Sequence, residues 1–115
     1  MSGPRIDPGF LRLLEDMDTF ISGEISPPDF ECRFFSNKNL HLQTLDGRKF
    51  GYAVYQALFY VVEDYVADPE LRTDPEDLGD QDLLDAVVSA RKKFTDELAG
   101  LGYDKYGRPR QESEQ

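Results

Sequence analysis

Proline placement divides this chain into segments before any other property is read. Asp7-Pro8 and Ser26-Pro27-Pro28 each join a capping side chain to a proline suited to a first helical turn, and Asp-Pro recurs at 68–69 and 74–75. Proline fixes φ and biases the residue before it away from helix, so the first two sites start helices and the last two make a stiff link. Between these marks apolar residues recur at three- and four-residue steps, the period of a helix with one face in a core. Phe10, Leu13, Leu14, Met17, Phe20 and Ile21 define a first helix over 8–21, stopped by Ser22-Gly23. Phe30, Phe34 and Phe35 define a short second helix, capped by Ser26 and ending near Ser36.

Ser36-Asn37-Lys38-Asn39 reads as a turn, and 40–49 as a loop in which Asp46-Gly47 would also fit a hairpin. Over 50–66 two apolar stripes interleave, Phe50/Val54/Leu58/Val61/Tyr65 and Tyr52/Tyr55/Phe59/Val62/Val66, which predicts a third helix central to the domain. An acidic connection covers 67–79. Asp80 is then placed to cap a fourth helix over 81–101, with Leu84, Val87, Val88, Phe94, Leu98 and Leu101 inward and Arg91-Lys92-Lys93 opposing the negative end of its dipole. Gly102 ends that helix, and 103–115 reads as a polar, mobile tail. Four amphipathic segments in 115 residues predict one all-α domain over 1–102, an antiparallel four-helix bundle with an acidic loop between helices three and four.

Cys32 is the single cysteine, so no internal disulfide can form, and the start of the chain lacks a signal-like apolar run. No stretch reaches the ~20 apolar residues of a membrane span. These features predict a cytoplasmic protein that does not enter a membrane. Charge is more informative. The formal net charge is −10, and the stretch 61–85, with 10 acidic residues and 1 basic, carries −9 of it. Such a field repels nucleic acid and anionic lipid and favours a cationic partner.

Catalytic chemistry is thinly provided. The lone histidine, His41, sits in the ambiguous loop with no nucleophile and orienting acid around it, and reads as solvated. Cys32 reads as a small core residue rather than a reactive thiol. One Cys and one His cannot build a structural zinc site, and no glycine-rich phosphate loop is present. A calcium loop counted from Asp74 would use Glu76, Leu78, Asp82 and Asp85 around Gly79, but Leu78 cannot ligate and Asp85 is shorter than the required glutamate. No enzyme, metal or cofactor is therefore expected. The acids lie beside Tyr52, Tyr55, Phe59, Tyr60 and Tyr65. Tyrosines next to carboxylates suit an arginine- and lysine-rich surface, because arginine stacks on aromatic faces. Solvation of the loop and capping by Asp80 and Asp82 are the competing uses of the same acids.

The order of features resembles a known family. Phe20-Ile21-Ser22-Gly23-Glu24-Ile25-Ser26, then Asp29-Phe30-Glu31 and Arg33-Phe34, then Leu58-Phe59-Tyr60-Val61-Val62-Glu63-Asp64-Tyr65, then Asp68-Pro69-Glu70-Leu71-Arg72 and the Asp/Leu-rich start at 78–84, are similar to the colicin D immunity protein family of bacterial self-protective proteins. The similarity covers about 10–101, and departs from the family at 36–49 and after Gly102. It implies a helical bundle that binds the nuclease domain of a secreted or contact-delivered toxin, tRNA-cleaving in the colicin D case, and fills its basic groove with carboxylates in place of RNA phosphates. The resemblance places the inhibitory surface at Glu63, Asp64, Asp68 and Glu70, with Tyr65 beside them. Charge alone extends it to Asp74, Glu76 and Asp77. A non-catalytic acidic adaptor or regulator of another basic protein is the alternative.

Overall fold

A computed structural model describes residues 6–37, 42–44, 47–73 and 77–108. It is all-α: α1 (Pro8–Ile21), α2 (Pro27–Ser36), α3 (Tyr52–Asp64) and α4 (Asp80–Gly100), with one 3-10 turn at Pro69–Leu71. The first two helices begin where local chemistry directs. The Gly9 N–H donates to the Asp7 carboxylate at 2.8 Å, and the Asp29 N–H to Ser26 Oγ at 3.2 Å, so each start has one otherwise unpaired donor satisfied. At the end of α1, Gly23 adopts φ +86°, and the Gly23 and Glu24 N–H groups donate back to the carbonyls of Phe20 and Thr19. That pair of bonds is a Schellman closure, open to glycine because it needs a left-handed residue.

The core is organised by α4, which packs against each of the other three helices. Leu83, Val87, Ala90, Phe94 and Leu98 form its buried stripe, with Leu83 in place of the expected Leu84 and with Val88 on the surface. Phe10 meets both Phe94 and Phe50 edge-on, with centroids 5.0 and 4.9 Å apart, while Phe20 stacks on Phe30. These are favourable aromatic geometries deep in the domain.

The third helix is not central. Only Leu58 and Val62 of α3 are buried, whereas Tyr52 and Tyr60 keep 53% and 55% of their surface exposed. Gly51 is the local cause of its late start. It sits at φ +72° immediately before α3, its N–H donates to the Glu97 carboxylate at 2.8 Å, and a Cβ there would come within 2.9 Å of Phe94. Phe50 thereby enters the core ahead of the helix rather than from within it. Upstream, Thr44 pairs with Ile6 and Gln43 with Lys49 as isolated antiparallel bridges around Gly47, so the described part of 40–49 is a bridged turn. His41 lies outside the described residues.

Three further expectations are corrected. Cys32 is exposed on α2 rather than buried. Arg91 is midway along α4, nine-tenths buried, and pairs bidentately with Asp18 of α1 at 2.7 and 3.2 Å while donating to the Lys105 carbonyl at 2.6 Å. It is a cross-link between elements, not a dipole partner. The third correction concerns the segment after Gly102, which is not a mobile tail over 103–108. A second Schellman closure turns the chain: Gly102 takes φ +92°, and the Tyr103 N–H donates to the Leu98 carbonyl at 2.8 Å. Tyr103 is 2% exposed and belongs to the core. Asp104 then accepts from the Tyr106 and Arg108 N–H groups, and Gly107, at φ +78°, lies where a Cβ would meet Leu11 at 2.5 Å. Hydrogen bonding and packing hold this polar stretch as a hook on α1. Residues 109–115 of the expected tail lie outside the described residues.

Candidate functional site

The acidic connection is a closed loop rather than a loose strap. Tyr65 leaves α3 with extended backbone angles, the Val66 N–H donates to the Leu78 carbonyl at 2.9 Å, and the Leu78 N–H donates to the Asp64 carbonyl at 3.0 Å. This parallel bridge brings the two ends of the connection side by side. Arg72 folds back inside it, with Nε donating to the Val66 carbonyl at 2.7 Å and the guanidinium also reaching the Ala67 carbonyl and, at 3.7 Å, Asp80. The only base between 50 and 90 is thus spent on the loop's own backbone.

Tyr65 is the post on which the loop is fixed. Its ring is 4% exposed and its hydroxyl donates to Asp80 Oδ1 at 2.6 Å. Burial first, then the hydrogen bond to Asp80 and the charges of Asp80 and Glu31, hold the phenol protonated far above the ordinary tyrosine range, against a smaller opposing effect of Arg72. Expected as a partner-contacting residue, Tyr65 is instead inaccessible. Asp80 is corrected too: it is not the cap, since its carboxylate faces Tyr65 and Arg72 from the first turn of α4, and the helix is opened by Gly79, whose N–H donates to Asp82 Oδ2 at 2.9 Å. A Cβ at 79 would stand 3.0 Å from the Arg72 guanidinium, which would have to shift to admit one.

Around this post the carboxylates sort by location. Glu63 and Asp64 on the last turn of α3, Asp68 just before the 3-10 turn and Glu70 within it are exposed. Asp68 also accepts from the Glu70 N–H at 2.9 Å and so shapes the turn that carries both. Asp77 is half-buried, and Asp74 and Glu76 lie outside the described residues. Glu31 of α2 is near enough to raise the Tyr65 phenol further, which adds a carboxylate from another helix to this end of the molecule. Sequence reasoning missed it, because nothing local to α2 says which end of α3 it faces.

Beside the acidic corner the exposed side of α3 forms an aromatic wall with α2. Tyr55 stacks on Phe34 with centroids 5.5 Å apart, Phe59 meets Phe35 edge-on at 5.9 Å, and Tyr60 continues the row. Along α3 opens a groove of about 470 Å³, lined by Tyr52, Tyr55, Gln56, Phe59 and Tyr60 on one side and by Asn37 and Leu42 on the other. Partial burial raises the Tyr55 phenol above its ordinary pKa, so it stays a neutral hydroxyl. The aromatic set singled out in the sequence therefore divides: Tyr65 is structural, and Tyr52, Tyr55, Phe59 and Tyr60 border a groove.

Chemically the region offers carboxylates, phenol hydroxyls and ring faces. Among the described residues no group of three or more His, Cys, Asp and Glu is disposed to hold a metal ion, and none of the described helices is long and apolar enough to cross a membrane. Comparison with known protein families, characterised proteins and solved structures gives no match to this chain.

Proposed function

We propose that this chain is an immunity-type inhibitor, a cytoplasmic antitoxin that acts without catalysis by laying its acidic corner into the nucleic-acid groove of a cationic nuclease toxin. The observation that carries the reading is the corner itself. Glu63 and Asp64 on the last turn of α3, and Asp68 and Glu70 at the start of a loop joined at its ends, are all exposed, and Arg72, the nearest base in sequence, is turned onto carbonyls. Exposed like charges repel, so a chain gains no folding stability by gathering them. A nuclease must present positive charge where it holds phosphates, and a fixed array of carboxylates is complementary to that surface. Charge of this kind sets the speed of encounter, and shape and stacking set how long the complex lasts. The resemblance to the colicin D immunity family points to the same partner.

The test is protection and association. Bacteria making the toxin encoded beside this chain should survive with it and die without it. Replacing Glu63, Asp64, Asp68 and Glu70 together by lysine should slow association with the purified toxin domain by about tenfold or more at low salt, and should remove most of the salt dependence of the wild-type rate. Equal killing with and without the protein sinks the proposal. An unchanged association rate in the lysine variant removes the acidic corner from it.

A further inference from the structure

The groove along α3, closed on its other side by Asn37 and Leu42, is a separate feature from the acidic corner, and its construction says which cation it suits. Tyr52 and Tyr60 keep more than half of their surface in solvent although α3 packs its other side into the domain. No lysine or arginine occurs from 50 to 71, so α3 carries nothing to repel a cation. The polar groups of the groove, the Asn37 and Gln56 amides and the tyrosine hydroxyls, can each accept a hydrogen bond, and the Asn37 amide nitrogen is already engaged with the Gly9 carbonyl at 2.9 Å. Glu63 stands three and four residues beyond Tyr60 and Phe59, so on a helix it continues the same face at the end of the aromatic row.

We infer that this groove is a docking slot for an arginine side chain of the protein partner, an inference that rests on the reading of that partner as cationic. A guanidinium is planar, weakly hydrated and rich in donors, and it stacks on aromatic rings while its edge finds acceptors. A lysine ammonium is a compact, strongly hydrated charge and uses such a slot poorly. Charge also decides between occupants: a second copy of this chain would bring a formal −10 to a surface of the same sign, whereas an arginine-bearing segment is drawn in by Glu63 and the corner behind it. The acidic corner then gathers a basic surface, and the slot selects arginine within it.

Hexa-arginine and hexa-lysine, equal in charge, separate the two roles. Titrated into the full-length protein at low salt, hexa-arginine should bind about fivefold more tightly than hexa-lysine, and Tyr52→Ala with Tyr60→Ala should reduce it to the hexa-lysine level while leaving hexa-lysine unchanged. Both tyrosines lie largely outside the core, and Tyr60→Phe, which keeps the ring, should retain the preference. Equal affinity for the two peptides, or an arginine preference that survives the double variant, overturns the slot and leaves the acidic corner standing. Loss of binding of both peptides in the Glu63, Asp64, Asp68 and Glu70 lysine variant supports the corner, not the slot. Failure of both peptides to bind the wild type overturns slot and cationic partner together. Self-association that Tyr52→Ala abolishes, with no response to hexa-arginine, would assign the groove to a second copy and overturn the inference.

Discussion

The two ends of α4 are treated in opposite ways. From its middle to its C-terminal end several charges are turned inward: Arg91 is held by Asp18 and by the Lys105 carbonyl, Glu97 takes the Gly51 N–H, and Asp104 closes the hook on itself. At its N-terminal end Asp80, Asp82 and Arg72 are engaged in this way and Asp68 shapes its own turn, while the surfaces of Glu63, Asp64, Asp68 and Glu70 face solvent. Some of the charge at one end is tied into the fold, and much of it at the other stands in solvent, where the proposed partner would meet it.

Substitutions can break that division, beginning with the largest effect. Tyr103→Ala removes a buried aromatic ring and should cost about 3–5 kcal/mol in denaturant unfolding, with partner affinity unchanged once the protein is folded. A loss below about 1 kcal/mol would return 103–108 to the role of a loose tail. Tyr65→Phe should cost about 1 kcal/mol near neutral pH by deleting the hydrogen bond to Asp80. It carries a pH signature as well. The phenol's pKa is raised in the fold above its ordinary value of 10.0, so its contribution is complete below that pH and is lost as pH climbs beyond it. Wild-type stability should therefore fall more steeply than that of Tyr65→Phe between about pH 10 and pH 12; parallel curves would remove the buried post. The smallest effect belongs to Glu63→Gln, Asp64→Asn and Glu70→Gln combined, which should alter stability by no more than about 0.5 kcal/mol, upward if anything as repulsion is relieved. A loss above about 1 kcal/mol would mean that these acids serve the fold after all.

Much of the fold was legible because its signals are local. Asp7-Pro8 and Ser22-Gly23 bracket α1 at the observed residues, since cap, proline and left-handed glycine each act within a few positions. Tyr103 was legible in principle, an aromatic immediately after a helix-ending glycine, yet the polar residues beyond it concealed the closure. Arg91 and Asp18 lie 73 residues apart, and no local pattern pairs them. The two stripes of α3 suggested burial on both sides, but hydropathy alone does not tell an inner face from one that borders a groove. The same limit governs the site. Glu63, Asp64, Asp68 and Glu70 were readable as charge, whereas the exchange of roles between Asp80 and Asp82 depends on where Arg72 lies, and the withdrawal of Tyr65 depends on its burial.

The bridge between Tyr65 and Leu78 has a consequence for how such a chain can change over generations. With its two ends joined by backbone hydrogen bonds, the span between them can gain, lose or exchange residues at small entropic cost, since closing a loop depends only weakly on its length. The helices need not register the change. A lineage bearing this scaffold can therefore retune what its acidic loop meets, residue by residue, while the remainder of the molecule stays under an unrelated set of constraints.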